Sequence, residues 1–183
     1  NCSIALNKGY GSMAANVGNY SLAMTIRSFT IAANTGDYSV AWSQVAHSIA
    51  ANIGDGSAAL SDGYESIAAN TGDRSAAMGY GEDSVAINVG NQSTAINKGA
   101  ESVALNTGGR AEASVTQEGS IAIATGIQSK AKGGLGSAIV LVERTTWNGY
   151  RYPLNNIKAA IVDGEKIKAD TWYMLKNGEF VEA

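Results

Sequence analysis

Residue types suited to chemistry are scarce in this chain. It has a single histidine, His47, and a single cysteine, Cys2, which together supply neither a metal site of the common kinds nor an internal disulfide. The sequence also lacks a Gly-x-Ser-x-Gly elbow, a phosphate-binding loop and metal-ligand spacing. We therefore expect no enzyme, no bound metal and no cofactor. One alternative stays open, in which two carboxylates distant in the chain converge for glycan cleavage.

Three aspartates recur at a fixed interval. Asp37, Asp55 and Asp73 are spaced 18 residues apart, so a fold with that period stacks them. Stacked carboxylates can share a cation, or they can accept hydrogen bonds from backbone amides in solvated turns. We favour the second role, since the Gly-Gly-x-Gly-x-Asp pattern of calcium-binding nonapeptides is absent.

Aromatic rings recur as well. Tyr20, Phe29, Tyr38 and His47 follow one another at nine-residue intervals, which predicts ring ladders along two edges, Tyr20 with Tyr38 and Phe29 with His47. Such ladders stabilise stacking, and the alternative is that they bind sugar rings. His47 is interpreted as a stacked corner residue and not as a catalytic base.

The spacing of these residues belongs to a nonapeptide repeat that covers most of the chain. Fifteen consecutive units follow one another from Ser3 onward, and alanine stands in the third place of every unit. Glycine stands in the seventh place of eleven of them. A typical unit runs from Ser84 to Gln92 and reads Ser-Val-Ala-Ile-Asn-Val-Gly-Asn-Gln. Repeats of fixed period indicate stacked architectures in which each unit contacts its neighbours.

Each unit predicts one short strand and one corner. Five residues that alternate small and large suit a strand, whose side chains point to opposite faces with period two. Asn and Gly then suit a turn, while a recurring glycine disfavours a helix. Met24, Trp42, Leu60 and Met78 alternate with alanine in the fourth place. We therefore predict an all-β, parallel β-roll, a β-solenoid with coils of 18 residues and two strands per coil.

Side-chain volume predicts which residues lie inside. Ser and Ala are small enough for two closely spaced sheets, so the larger second and fourth places face outward, as in Ile67, Val85, Ile87 and Val103. The alternative is the opposite parity, with the aliphatic residues inside a monomeric roll. Long exposed apolar stripes are rare in monomers, and identical rods packed around an axis would bury them.

The repeats resemble a known family. Residues 84–88, 102–106 and 120–123 are similar to the YadA-like head repeats of trimeric autotransporter adhesins, and the Asn-Thr-Gly-Asp strings at 34–37 and 70–73 are similar to repeats of phage and prophage tail-fibre proteins. The resemblance covers residues 1 to about 137. It implies a left-handed β-roll, a homotrimer, and attachment to a receptor or glycan of a host-cell surface. It also implies an extracellular location, on a bacterial surface or a phage tail. The adhesin heads usually have longer and less regular spacing.

The chain changes character after Ser137. Residues 138–183 contain two of the three Trp, the only Pro and twelve of the 29 charged side chains. We predict two domains, a β-roll over 1–137 and an antiparallel β cap over 138–183, because open solenoid ends need protection. Three hairpin signals, at 148–149, 163–164 and 177–178, predict a small meander. Its core would consist of aromatic residues, Trp147, Tyr150, Tyr152, Trp172, Tyr173 and Phe180.

Together these features predict a non-enzymatic, fibrous, trimeric attachment module. The net charge is only -3, which disfavours nucleic acid as a partner, and no apolar stretch approaches the ~20 residues of a membrane helix. Trp147, Tyr150 and Tyr152 are candidates for a receptor-binding tip. The alternatives are an ice-binding β-solenoid and a glycan-binding or glycan-depolymerising tail-spike domain.

Overall fold

A computed structural model describes residues 2–183. Within that range every regular element is a strand, and the nineteen strands form two sheets. In chain order they are β1 Ile4–Asn7, β2 Met13–Val17, β3 Leu22–Thr25, β4 Ile31–Thr35, β5 Val40–Ser43, β6 Ile49–Ile53, β7 Ala58–Ser61, β8 Ile67–Thr71, β9 Ala76–Gly79, β10 Val85–Val89, β11 Thr94–Asn97, β12 Val103–Asn106, β13 Glu112–Val115, β14 Ile121–Ala124, β15 Lys130–Lys132, β16 Ala138–Arg144, β17 Leu154–Ile161, β18 Tyr173–Lys176 and β19 Glu179–Glu182.

Successive strands alternate between the two sheets. Sheet A contains the odd-numbered strands β1 to β15, and sheet B contains the even-numbered strands β2 to β16. Each strand pairs in parallel with the next strand of its own sheet in the 18-residue register, so that Ala86 lies opposite Ala104 and Ala77 opposite Ala95. The predicted β-solenoid of two-strand coils is confirmed, with eight coils in the described chain.

The interior contains the small residues, as predicted. The third-place alanines from Ala23 to Ala131 are 0% exposed, whereas the neighbouring Ile67 is 36% exposed. The first-place serines from Ser21 to Ser129 are buried as well. The opposite parity, with aliphatic residues inside the roll, is therefore wrong, because the narrow space between the sheets admits only small side chains.

The buried serines connect successive coils. Ser93 Oγ accepts a hydrogen bond from Ser75 N at 3.1 Å and lies 3.0 Å from the carbonyl oxygen of Gly72, to which it donates. Equivalent bonds recur along both sheets, as between Ser84 N and Ser102 Oγ at 3.1 Å. These ladders satisfy hydroxyl groups that would otherwise be costly to bury.

The fifth-place asparagines lie in the strands, not in the turns that the sequence predicted. Asn70 and Asn88 are buried. Asn70 Nδ2 donates to Ser57 O at 2.7 Å and to Ala76 O at 2.9 Å, both in or beside strands of the opposite sheet. The asparagine therefore ties the two sheets together, and this tertiary role outweighs its turn preference.

Positive backbone φ angles occur mainly at the ninth place of the unit. Tyr20, Tyr38, Arg74 and Arg110 have φ between 53° and 57°, a region that non-glycine residues seldom occupy. The backbone amide of Arg74 donates to Asn91 O at 2.9 Å, so a bond to the next coil accompanies this conformation. At the seventh place the need for glycine is steric. A Cβ on Gly90 would lie 2.0 Å from Gly72 O.

The C-terminal strands close the sheets in antiparallel fashion, as predicted. Strand β16 continues sheet B, pairing in parallel with β14, and β17 then pairs antiparallel to β16. Strand β18 pairs antiparallel to β15 and to β19 in sheet A. The register between β14 and β16 is one residue shorter than the repeat, since Ala138 lies opposite Ile121. The expected single meander is wrong, because the chain passes from sheet B to sheet A after β17.

One of the three hairpin signals forms a two-residue hairpin turn, and the signal at 148–149 lies in the longer loop of the β16–β17 hairpin. Asn177 and Gly178 have φ of 52° and 74° and join β18 to β19, as a type I′ turn requires. At the other two sites only the glycine has positive φ. There the side chains of Asn148 and Asp163 accept hydrogen bonds from the backbone amides that follow them, which stabilises loops.

The cap shares its core with the last coils and has no separate aromatic core. Tyr173 is 3% exposed and belongs to the same cluster as Ile139, Leu141, Val162 and Ala122. The predicted core residues of the long loop, by contrast, are exposed. Of the predicted aromatic residues, Tyr173 lies in this core and Phe180 packs against it, together with aliphatic side chains from β16.

Candidate functional site

Two broad apolar surfaces cover opposite sides of the roll. Face B consists of the outward residues at the second and fourth places of the even-numbered strands β2 to β14. Face A consists of the residues at the same places of the odd-numbered strands β1 to β11. Every residue of face B is apolar: Met13, Ala15, Ile31, Ala33, Ile49, Ala51, Ile67, Ala69, Val85, Ile87, Val103, Leu105, Ile121 and Ile123. Face A is apolar except for one threonine: Ile4, Leu6, Leu22, Met24, Val40, Trp42, Ala58, Leu60, Ala76, Met78, Thr94 and Ile96. Within residues 2–183 no other strand packs against either face, and only corner side chains such as Asp62 and Tyr80 contact the margin of face A, at Trp42 and Met78.

The fourth places of the two faces have complementary profiles in the first four coils. In the third coil the fourth place holds Trp42 on face A and Ala51 on face B, and the other three coils likewise combine a large residue on face A with alanine on face B. In the fifth and sixth coils both fourth places are large, as in Met78 and Ile87. A neighbouring copy at the same height can use the match in the first four coils.

The corners form two edges. The first edge comprises the corners that follow the even-numbered strands, and the second edge those that follow the odd-numbered strands. On the first edge, Asp37 Oδ1 accepts a hydrogen bond from Asp55 N at 2.9 Å, and Asp55 Oδ1 accepts one from Asp73 N at 2.8 Å. The predicted capping role is confirmed. No group of three His, Cys, Asp or Glu suited to a metal ion occurs in residues 2–183.

The aromatic ladders are confirmed on both edges. Tyr20 and Tyr38 stack with ring centroids 5.3 Å apart and planes 9° apart on the first edge. Phe29 and His47 stack at 4.8 Å and 15° on the second edge. His47 Nδ1 also lies 3.0 Å from Glu65 Oε2. The rings are exposed, and those of successive coils stack on one another.

The second edge is acidic beyond these rings. Hydrogen bonding to Asp83 and to Glu65 raises the pKa of Tyr64 to about 12, because each carboxylate favours the protonated phenol. A phenol with this pKa keeps its proton at neutral pH. It therefore acts as a hydrogen-bond donor and not as a base.

A cleft of about 530 Å³ lies between the first edge and the loop that joins β16 to β17. Its walls hold two of the predicted aromatic candidates, with the Trp147 and Tyr152 rings 5.2 Å apart. Tyr150 and Arg151 line an adjoining groove that shares Trp147 and Tyr152. The structure therefore brings these three aromatic candidates together. It keeps them apart from Tyr20, Tyr38, Phe29 and His47, which line neither cavity.

The sequence interpretation missed the other wall of the cleft. Solenoid corners supply Asn91, Gln92, Arg110 and Gln128, which precede Trp147 by 19 to 56 residues in the chain. Their eighth-place and ninth-place positions on the first edge were visible in the repeat. Their proximity to the β16–β17 loop could not be predicted from the repeat, because it depends on how β16 joins sheet B.

Hydrogen bonds hold the loop in place. Arg144 Nε donates to Thr125 O at 2.9 Å, and its Nη1 donates to Tyr152 O at 3.1 Å. Asn148 Oδ1 accepts bonds from Tyr150 N and Arg151 N. These contacts fix the aromatic rings against the solenoid, so the cleft is a built feature of the fold.

The described chain contains no helix long and apolar enough to cross a membrane. Comparisons with models of protein families, with curated proteins and with solved structures find no match to this chain.

Proposed function

We propose that this chain is a non-enzymatic, fibrous attachment module that assembles as a homotrimer. The observation that carries the proposal is the pair of broad apolar faces, whose fourth places are complementary in the first four coils. Exposed apolar surfaces of this extent mark interaction sites. The repeats that resemble adhesin heads and tail fibres supply the expected setting, outside the cell and in contact with a host-cell surface.

Face A of one copy pairs with face B of the next. A two-fold dimer pairs a face with itself, which would leave the other face in water. Pairing of unlike faces closes into a ring when each copy is rotated relative to the next, and gives an open stack when it is not. A ring keeps all copies at one height, so Trp42 of one copy meets Ala51 of the next, and three copies are the smallest ring that uses both faces of every copy.

The native mass tests the assembly. Sedimentation equilibrium of the full chain should give three times 18.8 kDa. Ile67→Lys places a charge in the centre of face B and should lower the mass towards that of one chain. Gln117→Lys adds the same charge at an exposed corner of the second edge and should leave the mass unchanged. A wild-type mass near 18.8 kDa would contradict the assembly.

Two alternatives from the sequence receive less support. The regular serine hydroxyls point into the roll, where ice cannot reach them, and the outer faces present mainly aliphatic groups. The carboxylates on the first edge are bonded to backbone amides, which leaves them poorly placed for glycan cleavage. Thermal hysteresis and depolymerase assays of the chain should therefore be negative.

A further inference from the structure

We propose that the cleft between the first edge and the β16–β17 loop binds an acidic saccharide, with a sugar ring against Trp147 and its carboxylate paired to Arg110. The inference deepens the proposed attachment function, on which it rests, by naming the class of ligand. It stands on the composition of the cleft walls and on the hydrogen bonds that these walls have already made.

The aromatic wall suits a ring with an apolar face. Trp147 and Tyr152 are 55% and 39% exposed, although each belongs to a loop fixed by Arg144. Binding sites combine aromatic surface with a few placed polar groups, and an aromatic side chain offers both an apolar body and a polar tip. A pyranose, with its apolar C–H face and polar rim, matches such a surface.

The polar wall presents hydrogen-bond donors. Gln128 Oε1 accepts from Arg110 Nε at 3.0 Å, and Gln92 Oε1 accepts from Arg74 Nε at 3.3 Å. Asn91 Oδ1 accepts from Gly109 N at 2.9 Å. Because the amide oxygens are engaged, the amide nitrogens of Gln92 and Gln128, two residues that line the cleft, remain as hydrogen-bond donors.

The charges in the cleft are positive. Within residues 2–183 the guanidinium of Arg110 donates a hydrogen bond only through Nε, and that of Arg151 donates none. Both therefore retain terminal N–H groups for a ligand. No carboxylate lines the cleft or its adjoining groove. Asp73, the nearest acidic member of the first edge, accepts bonds from Asn91. Guanidinium groups pair with carboxylates through two parallel bonds, which favours an anionic ligand over a neutral one.

Calorimetric titration of the full chain with 3′-sialyllactose, trigalacturonate and lactose tests this assignment. At least one acidic sugar should bind about tenfold or more tightly than lactose, a difference of about 1.4 kcal/mol. The two acidic probes distinguish a sialic acid from a uronic acid as the source of the carboxylate. Equal affinity for all three sugars, or no binding of any, would overturn the inference.

Arg110→Gln should weaken binding of the acidic sugar about tenfold, and Trp147→Ala should abolish it. Arg27→Gln is the matched control, because it removes the same charge from an exposed corner of the second edge, outside the cleft and its adjoining groove. Glutamine already stands at the ninth place with positive φ in Gln92 and Gln128 and at the seventh place in Gln117, so both arginine variants should fold. Equal effects of the two arginine variants would contradict the assignment.

A polyglutamate peptide distinguishes a sugar from a protein ligand. Binding of this peptide as tight as that of the acidic sugar would overturn the saccharide assignment. The test is separate from the native mass. A monomer that binds the acidic sugar would refute the trimer alone, and a trimer that does not bind it would refute only this inference.

Discussion

The coils and the cap bury their interiors in different ways. In the coils the third place is always alanine, and its neighbours are serine and asparagine. In the cap the largest fully buried side chains are aliphatic, Ile139, Leu141 and Val162 among them. The transition occurs at the fifth place, where asparagine gives way to Val115 and Ala124 in the last coils. Beyond this point the space between the sheets becomes apolar.

The difference shows two sources of stability in one continuous fold. Cap residues gain from apolar area removed from water, at about 25 cal/mol per Å². Coil residues bury little area each and depend on ladders of hydrogen bonds that repeat every 18 residues. The polar interior has a cost. Seven buried side-chain oxygens in the described chain lack a hydrogen-bond partner, all of them between Thr25 and Asn88.

Leu141→Ala should have the largest effect, because it removes apolar volume from the shared core of the cap. Leu141 is 0% exposed, and such truncations cost about 2 to 5 kcal/mol. Urea unfolding followed by circular dichroism measures the loss. Ile161→Ala, at a site 68% exposed, is the control and should cost much less. Equal losses at both sites would mean that the cap is not held by buried volume.

Ala68→Leu tests the opposite condition inside a coil. The narrow interior has no room for three more carbon atoms, so overpacking should cost about 1 to 3 kcal/mol. Ala100→Leu adds the same atoms at a corner of the second edge, which is only partly buried, and should stay within about 0.5 kcal/mol. The same urea experiment applies. A neutral Ala68→Leu would show that the coils can widen.

The smallest expected effect lies at the seam inside the cap. Glu143 accepts hydrogen bonds from Asn156 Nδ2 at 2.6 Å, Asn177 N at 2.7 Å and Gly178 N at 2.9 Å. The Asn156 amide, followed by the two backbone amides, lowers the pKa of Glu143. Since the folded-state pKa lies below the unfolded value of about 4.3, this contribution is present at neutral pH. It is lost as the pH falls through the folded-state pKa.

Glu143→Gln should therefore be less stable than the wild type at pH 7, and this difference in stability should be smaller at pH 3. Thermal unfolding of both proteins at the two pH values measures the difference. Asp163, whose pKa is also lowered by backbone amides, is unchanged in both proteins and cancels in the comparison. A gap that is the same at both pH values would exclude the carboxylate as its cause.

Several errors of the sequence interpretation share one cause. Asparagine has a turn preference, but Asn70 reaches two carbonyls of the opposite sheet and so stays in a strand. Tyrosine and arginine rarely adopt positive φ, yet the stacked coils hold Tyr20 and Arg110 in that conformation. In each case a contact with a different coil outweighs the local propensity. The cleft escaped prediction for the same reason, since Arg110 meets Trp147 only through strand pairing.

The sequence by itself determined the period, the strand and corner of each unit, the inward side and the stacked ladders. A nine-residue repeat imposes the same local choice in every unit, and residues at equal places must stack once the coils form. Only the tertiary structure decided which sheet each cap strand joins, where the apolar core replaces the polar one, and which corners border the loop. Those features depend on contacts between unlike segments, for which no period exists in the chain.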